Sequence, residues 1–141
     1  MTGVQTCALP ISAFAALASP TAPWPTAADA GGQFLGYRVD ARQQPTFRYR
    51  VQGLTVEETP LPKPGSVDMT LVRTFKFQGA ASQPLWLRLA KGAIQPAGNG
   101  FKVDGGLLIQ VGPGAKATVV GDELRVAIEP NTPELRVEMT W

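Results

Sequence analysis

Carboxylates are the first place to look for chemistry in this chain, because it contains no histidine. That absence removes Ser-His and Cys-His nucleophile activation, histidine general bases, His-ligated zinc and haem held by an axial histidine. Glu57-Glu58 is a candidate acid pair. It sits in a stretch of period-two alternation, where adjacent side chains point to opposite faces, so the two carboxyls cannot flank one bond. A hydrolase would instead need two acids on neighbouring strands, with one raised in pKa by burial. Asp104-Gly105-Gly106 and Gly121-Asp122 place acids where tight turns favour Asp, which bonds its own backbone and tolerates unusual dihedrals. Calcium takes about six or more oxygens, and no D-x-[DN]-x-[DN]-G loop is present to supply them. Residues 112–116, GPGAK, are too short for a phosphate loop and open a strand where such a loop would open a helix. The expectation is a chain that is not an enzyme, with no catalytic residue, no metal and no cofactor.

Two constellations remain. Leu85, Leu87 and Leu89 claim one face of a strand, which leaves Trp86 and Arg88 on the other. Trp86 and Arg88 are therefore the candidate ligand or interdomain face: an exposed ring on a sandwich can stack on a sugar, and the same ring can pack under a linker or a neighbouring domain. The second constellation is an ion pair. Glu58 follows Leu54 and Val56 on the inward side of its strand, and Arg73 lies between Leu71 and Phe75 on the inward side of the next. Consecutive strands pair readily, so Glu58 and Arg73 are candidates for a buried pair that holds register, the alternative being that each charge reaches water at a strand end.

These residues need strands to position them, and the alternation supplies them. Gln33–Asp40 puts Leu35, Tyr37 and Val39 on one side, and Thr46–Gln52 puts Phe47, Tyr49 and Val51 inward with Arg48 and Arg50 out. Further strands are predicted at 54–59, 69–78 (Met69, Leu71, Phe75 and Phe77 inward), 85–90, 101–103, 107–111, 116–120, 124–128 and 135–141, with hairpin-sized joints between most of them. About nine to ten short antiparallel strands make an all-β sandwich, because an α/β arrangement would need helical crossovers. Residues 12–32, rich in Ala and Pro, read as a linker ahead of a domain over 33–141. Within it Trp24, between Pro23 and Pro25, could dock onto the following domain; Trp24 and Trp141 look like terminal plugs.

The 13 basic and 11 acidic residues are scattered, so no basic face points to nucleic acid, and no apolar run of transmembrane length follows the Ala-rich leader. Met1–Ile11 matches, residue for residue, the translation of a short-read sequencing adapter with GTG read as the start. The match implies an open reading frame running in from the adapter, with the true start lost upstream. Cys7, the one cysteine, then carries no redox information. The apolar run 8–18 ahead of Ser19-Pro20 imitates a signal peptide but lacks a basic n-region, and the N-terminal leader is expected to be disordered or a short helix, with Ala8–Ala18 helical at most by propensity.

The run FLGYRVDARQQPTFRYRVQGLTVEETPLP, followed by LVRTFKF and LWLRLAKG, and preceded by APWP, resembles an all-β accessory domain of large secreted proteins from planctomycete-type and other environmental bacteria. There it accompanies sorbosone or glucose dehydrogenase-like propellers and c-type cytochrome modules. The resemblance covers about residues 22–141 and implies a noncatalytic structural or interaction module, with neighbouring domains of the full-length protein as partners and a periplasmic or extracellular setting. No C-x-x-C-H occurs in this chain, so haem and electron transfer do not carry over. A carbohydrate-binding module on the Trp86 face is the alternative; nucleic-acid binding and membrane insertion are not expected. Deleting Met1–Ile11 should leave the melting temperature unchanged in a thermal scan, and a drop of several degrees would contradict the expectation that these residues make no packed contribution.

Overall fold

Glycine and proline punctuate the alternating pattern every few residues, and strands form between them and in places across them, through Gly36, Pro60, Pro62 and Pro96. The chain is seen in a computed structural model that describes residues 14–25, 32–63, 69–81, 83–129 and 133–141. The adapter-like residues 1–11 lie outside these. The strands are β1 (Phe14–Ala16), β2 (Gly32–Val39), β3 (Pro45–Val51), β4 (Leu54–Lys63), β5 (Thr70–Gln78), β6 (Leu85–Lys91), β7 (Ile94–Ala97), β8 (Gly100–Val103), β9 (Leu107–Val111), β10 (Ala117–Val120), β11 (Glu123–Ile128) and β12 (Glu134–Thr140). They form a four-stranded sheet ordered β1-β6-β11-β10 and an eight-stranded sheet ordered β2-β3-β4-β5-β12-β9-β8-β7. Every neighbouring pair is antiparallel. The molecule is an all-β sandwich.

Among the described residues twelve strands stand where nine to ten were expected, and the two outside the expected set have physical reasons. β7 lies in GAIQPAGNG, whose glycines and proline read as a turn; Pro96 is tolerated because β7 is the outer edge of its sheet and needs no donor on its free side. Gly98, at φ +62°, closes the tight β7–β8 hairpin. β1 is a correction to the linker and to the disordered or short-helical leader, since Phe14–Ala16 is a strand. Residues 14–16 pair with β6, Phe14 opposite Leu87, and Phe14, Ala15 and Leu17 are buried. Composition hid this because three residues are too few to show a period, and because Ala and Pro around them look like spacer.

The sheets meet through Phe14, Leu85, Leu87, Leu124 and Val126 on one side and Tyr49, Val51, Val56, Phe75, Ile109, Leu135 and Val137 on the other. Phe14 is central: its ring lies 5.5 Å from that of Tyr49 and 6.0 Å, edge-on, from that of Phe75. Leu35, Tyr37 and Val39, expected on one side of their strand, do not share a face. A bulge between Phe34 and Gly36 makes Leu35 the extra residue, so Phe34, Tyr37 and Val39 pair with Tyr49, Phe47 and Pro45. They share the inward face, but the four-stranded sheet does not extend over them and they stay exposed. Met69 points inward by alternation and is 70% exposed for the same reason. Phe14→Ala removes the ring that spans both layers; it should cost about 3–5 kcal/mol in chemical denaturation, a loss no unstructured linker residue would show.

Candidate functional site

On the outer face of the smaller sheet, alternation along β6 places Trp86 and Arg88 opposite to the buried leucines, and pairing puts Arg125 directly across from Arg88 and Ala127 across from Trp86. Two arginines facing each other on adjacent strands repel unless something intervenes. Glu123 does: its carboxylate accepts from Arg125 Nε at 2.8 Å and from Arg88 Nη1 at 3.0 Å. Burial alone would raise the pKa of Glu123, but the hydrogen bonds from Arg125 and Arg88 outweigh it and hold it below its ordinary value. The segment from Leu17 to Pro25 then crosses this face. Arg125 Nη1 donates to the carbonyls of Pro20 (3.0 Å) and Ala22 (2.8 Å), and the Trp24 ring lies against both guanidiniums, at 5.1 Å from Arg88 and 5.2 Å from Arg125. Arg125 is left 3% exposed. So Trp24 does dock on the domain, and the face carrying Trp86 and Arg88 is roofed on one side by the chain's own strap.

Trp86 itself is half-buried. It lines an open cleft of about 720 Å³ together with Leu54, Phe77, Gln83, Ile128 and Glu129. A smaller cleft of about 270 Å³ adjoins it, shares Trp86, and has Pro20 of the strap in its wall.

Inside the larger sheet, Glu58 and Arg73 meet. Arg73 Nε donates to Glu58 Oε2 at 2.7 Å, and Tyr49 Oη donates to Glu58 Oε1 at 3.0 Å. The register makes this a diagonal contact, since Glu58 stands opposite Phe75 and Arg73 opposite Pro60. Arg73 also lies over the Phe75 ring at 5.0 Å. Burial, and then the charge of Glu58, push the Tyr49 phenol well above its ordinary range. Glu57, one residue along, is on the outer face with Arg38 at 3.0 Å and Arg48 at 3.3 Å; the two adjacent acids are apart, as alternation requires. Asp104, at φ +52°, accepts from Ala93 N at 2.9 Å and serves as a turn residue.

A further surface went unread in the sequence. Cross-strand pairing runs Tyr37–Phe47–Glu58 in one row, Val39–Pro45 and Pro60–Arg73 in the next, then Pro62–Leu71–Met139. Trp141 continues the inward alternation of β12, and its N–H bonds Met69 O at 3.0 Å. The inward face of the larger sheet thus ends in an uncovered apolar strip, with Phe34, Tyr37, Val39, Met69 and Trp141 exposed. Trp141 is 55% exposed and is no plug. Alternation gave the correct faces; they are exposed because, among the described residues, the four-stranded sheet does not extend over them.

No family model, no curated protein and no solved structure matches this chain.

Arg73→Met leaves the Glu58 carboxylate buried without its cation and should destabilise by about 3 kcal/mol, part of which Glu58→Gln recovers in a double-mutant cycle. Strictly additive losses would deny the coupling. The pH limits follow from the signs. Tyr49 is raised in the folded state, so its contribution is complete below the unfolded value of 10.0 and is lost as pH rises beyond it. Glu123 is depressed, so its contribution is complete above about 4.5 and is lost as pH falls through its folded value. Tyr49→Phe should therefore flatten the alkaline limb of a stability–pH profile and leave the acid limb in place.

Proposed function

We propose that this chain is a noncatalytic structural and interaction module of a larger secreted protein, packing beside a dehydrogenase- or cytochrome-type domain. The observation that carries this is the uncovered strip. Its exposed members are aromatic residues, Met69 and Val39, with Arg73 at its inner margin, and Tyr, Trp, Phe, Met and Arg are the residue types enriched at protein interfaces. These carboxylates are engaged in the frame: Glu57 with Arg38 and Arg48, Glu58 with Arg73 and Tyr49, Glu123 with Arg88 and Arg125. The secreted context rests on the resemblance of the strand sequences to accessory domains. Among the described residues no helix is long and apolar enough to cross a membrane.

Carbohydrate binding at Trp86 is the second reading, favoured by the place of that ring in the larger cleft beside the polar groups of Gln83 and Glu129. The two separate cleanly in solution. At concentrations too low for self-association, the interaction reading expects the chain to bind an environment-sensitive apolar dye such as anilinonaphthalene sulfonate, and Tyr37→Glu with Met69→Glu to abolish the signal at unchanged melting temperature. Trp86→Ala should leave it intact. A folded chain that binds no dye, while oligosaccharides quench tryptophan fluorescence in a manner lost with Trp86→Ala, would favour the carbohydrate reading instead.

A further inference from the structure

The strip is the unfinished end of a two-layer structure, and what would complete it is another layer of sheet at the usual spacing of about 10 Å. We propose that a second copy of this chain supplies that layer, forming a two-fold dimer in which the uncovered ends of the two eight-stranded sheets pack face to face; this rests on the interaction reading given above. With the axis in the mid-plane and across the strands, the end of each large sheet continues the layer begun by the partner's small sheet. Both layers then become continuous without any change in either fold. The contact needs only the ordinary face-to-face spacing of packed sheets, about 10 Å.

Three further observations favour a second copy as the occupant. First, charge. On the inward face of β2 to β5 and β12 the charged residues among those described are Glu58 and Arg73, joined in one ion pair. Arg38, Arg48, Arg50, Glu57, Lys63, Lys76, Glu134, Arg136 and Glu138 fall on the outward side by alternation. A face without net charge meets its own copy without repulsion and offers a charged partner no handle. Second, area. Phe34, Tyr37, Val39, Met69 and Trp141 are 42%, 65%, 46%, 70% and 55% exposed, which leaves on the order of 500 Å² of apolar surface open, given the size of such side chains. With half-buried Phe47, Leu71 and Met139 on the same face, this approaches the roughly 800 Å² per partner of a specific interface. Third, the edge. The bulge at Phe34–Gly36 in the β2–β3 ladder bends and twists this outer strand, which disfavours strand addition at the edge and leaves the face as the route of association.

The test is the mass of the full 141-residue chain by light scattering and sedimentation, from low to high micromolar concentration. A concentration-dependent dimer is expected. Because β2 lies opposite its own copy across the axis, Tyr37→Glu and Tyr37→Arg should each weaken the dimer by about tenfold or more, a loss on the scale of one interface anchor, at unchanged melting temperature. An equimolar mixture of the two variants should regain it. A chain that stays monomeric throughout, or dimerises with both variants unaffected, overturns the proposal. The dye separates the two levels: a monomer that still binds anilinonaphthalene sulfonate at the strip excludes the second copy and keeps the interaction reading, whereas a monomer that binds none excludes both.

Discussion

Four strands cannot cover eight, and the rest of the structure follows from how that shortfall is handled. The smaller sheet is centred over β3, β4, β5, β12 and β9, where Phe14, Leu87 and Val126 find Tyr49, Phe75 and Val137. There the apolar surface of both layers is removed from water, and the hydrophobic term that holds the fold is concentrated. Beyond the reach of that sheet the same inward alternation continues along β2 and the far ends of β4, β5 and β12, but among the described residues no second layer lies over it. Tyr37, Val39 and Met69 are exposed for want of a layer above them, although their strands face the correct way.

The charges are placed to keep this frame rigid. Each buried cluster joins one carboxylate to two donors: Glu58 to Tyr49 and Arg73 inside the larger sheet, Glu123 to Arg88 and Arg125 outside the smaller one. Desolvating a charge is costly unless its hydrogen bonds are satisfied, and among the described residues no buried side-chain polar atom lacks a partner. The two clusters differ in what they hold. Glu58 ties β3, β4 and β5 together within one layer. Glu123 and its arginines instead capture the strap, through the Pro20 and Ala22 carbonyls and the Trp24 ring. The strap in turn follows directly from β1, so this polar contact on the outside helps to keep Phe14 seated in the core.

That division of labour bears on function. A module that presents an apolar face needs its own structure to stay fixed when the face is covered or uncovered. The polar clusters lie at the margin of the strip and on the opposite surface of the sandwich, where they brace the strands without occupying the contact. The Trp86 cleft is the other open feature, and it shares a wall with the strap at Pro20.

The sequence by itself determined the class of structure and the direction of nearly every side chain. Period-two alternation cut by Gly and Pro makes short antiparallel strands, and it set Tyr49, Val56 and Leu87 inward, Arg48 and Arg50 outward, Glu57 away from Glu58, and Glu58 on the same side as Arg73. Those are local consequences of strand geometry, in which successive residues face opposite ways. What lies opposite a face is not local. Only the tertiary structure decided that Phe14 is core and part of a strand, that Trp24 seats against Arg88 and Arg125, and that the Glu58–Arg73 contact is diagonal. It also decided that Tyr37 and Trp141 are open while Arg125, on an outward face, is buried. Burial depends on which sheet extends over which residue, and that is set by strand order and sheet width, quantities to which alternation along a single strand is blind.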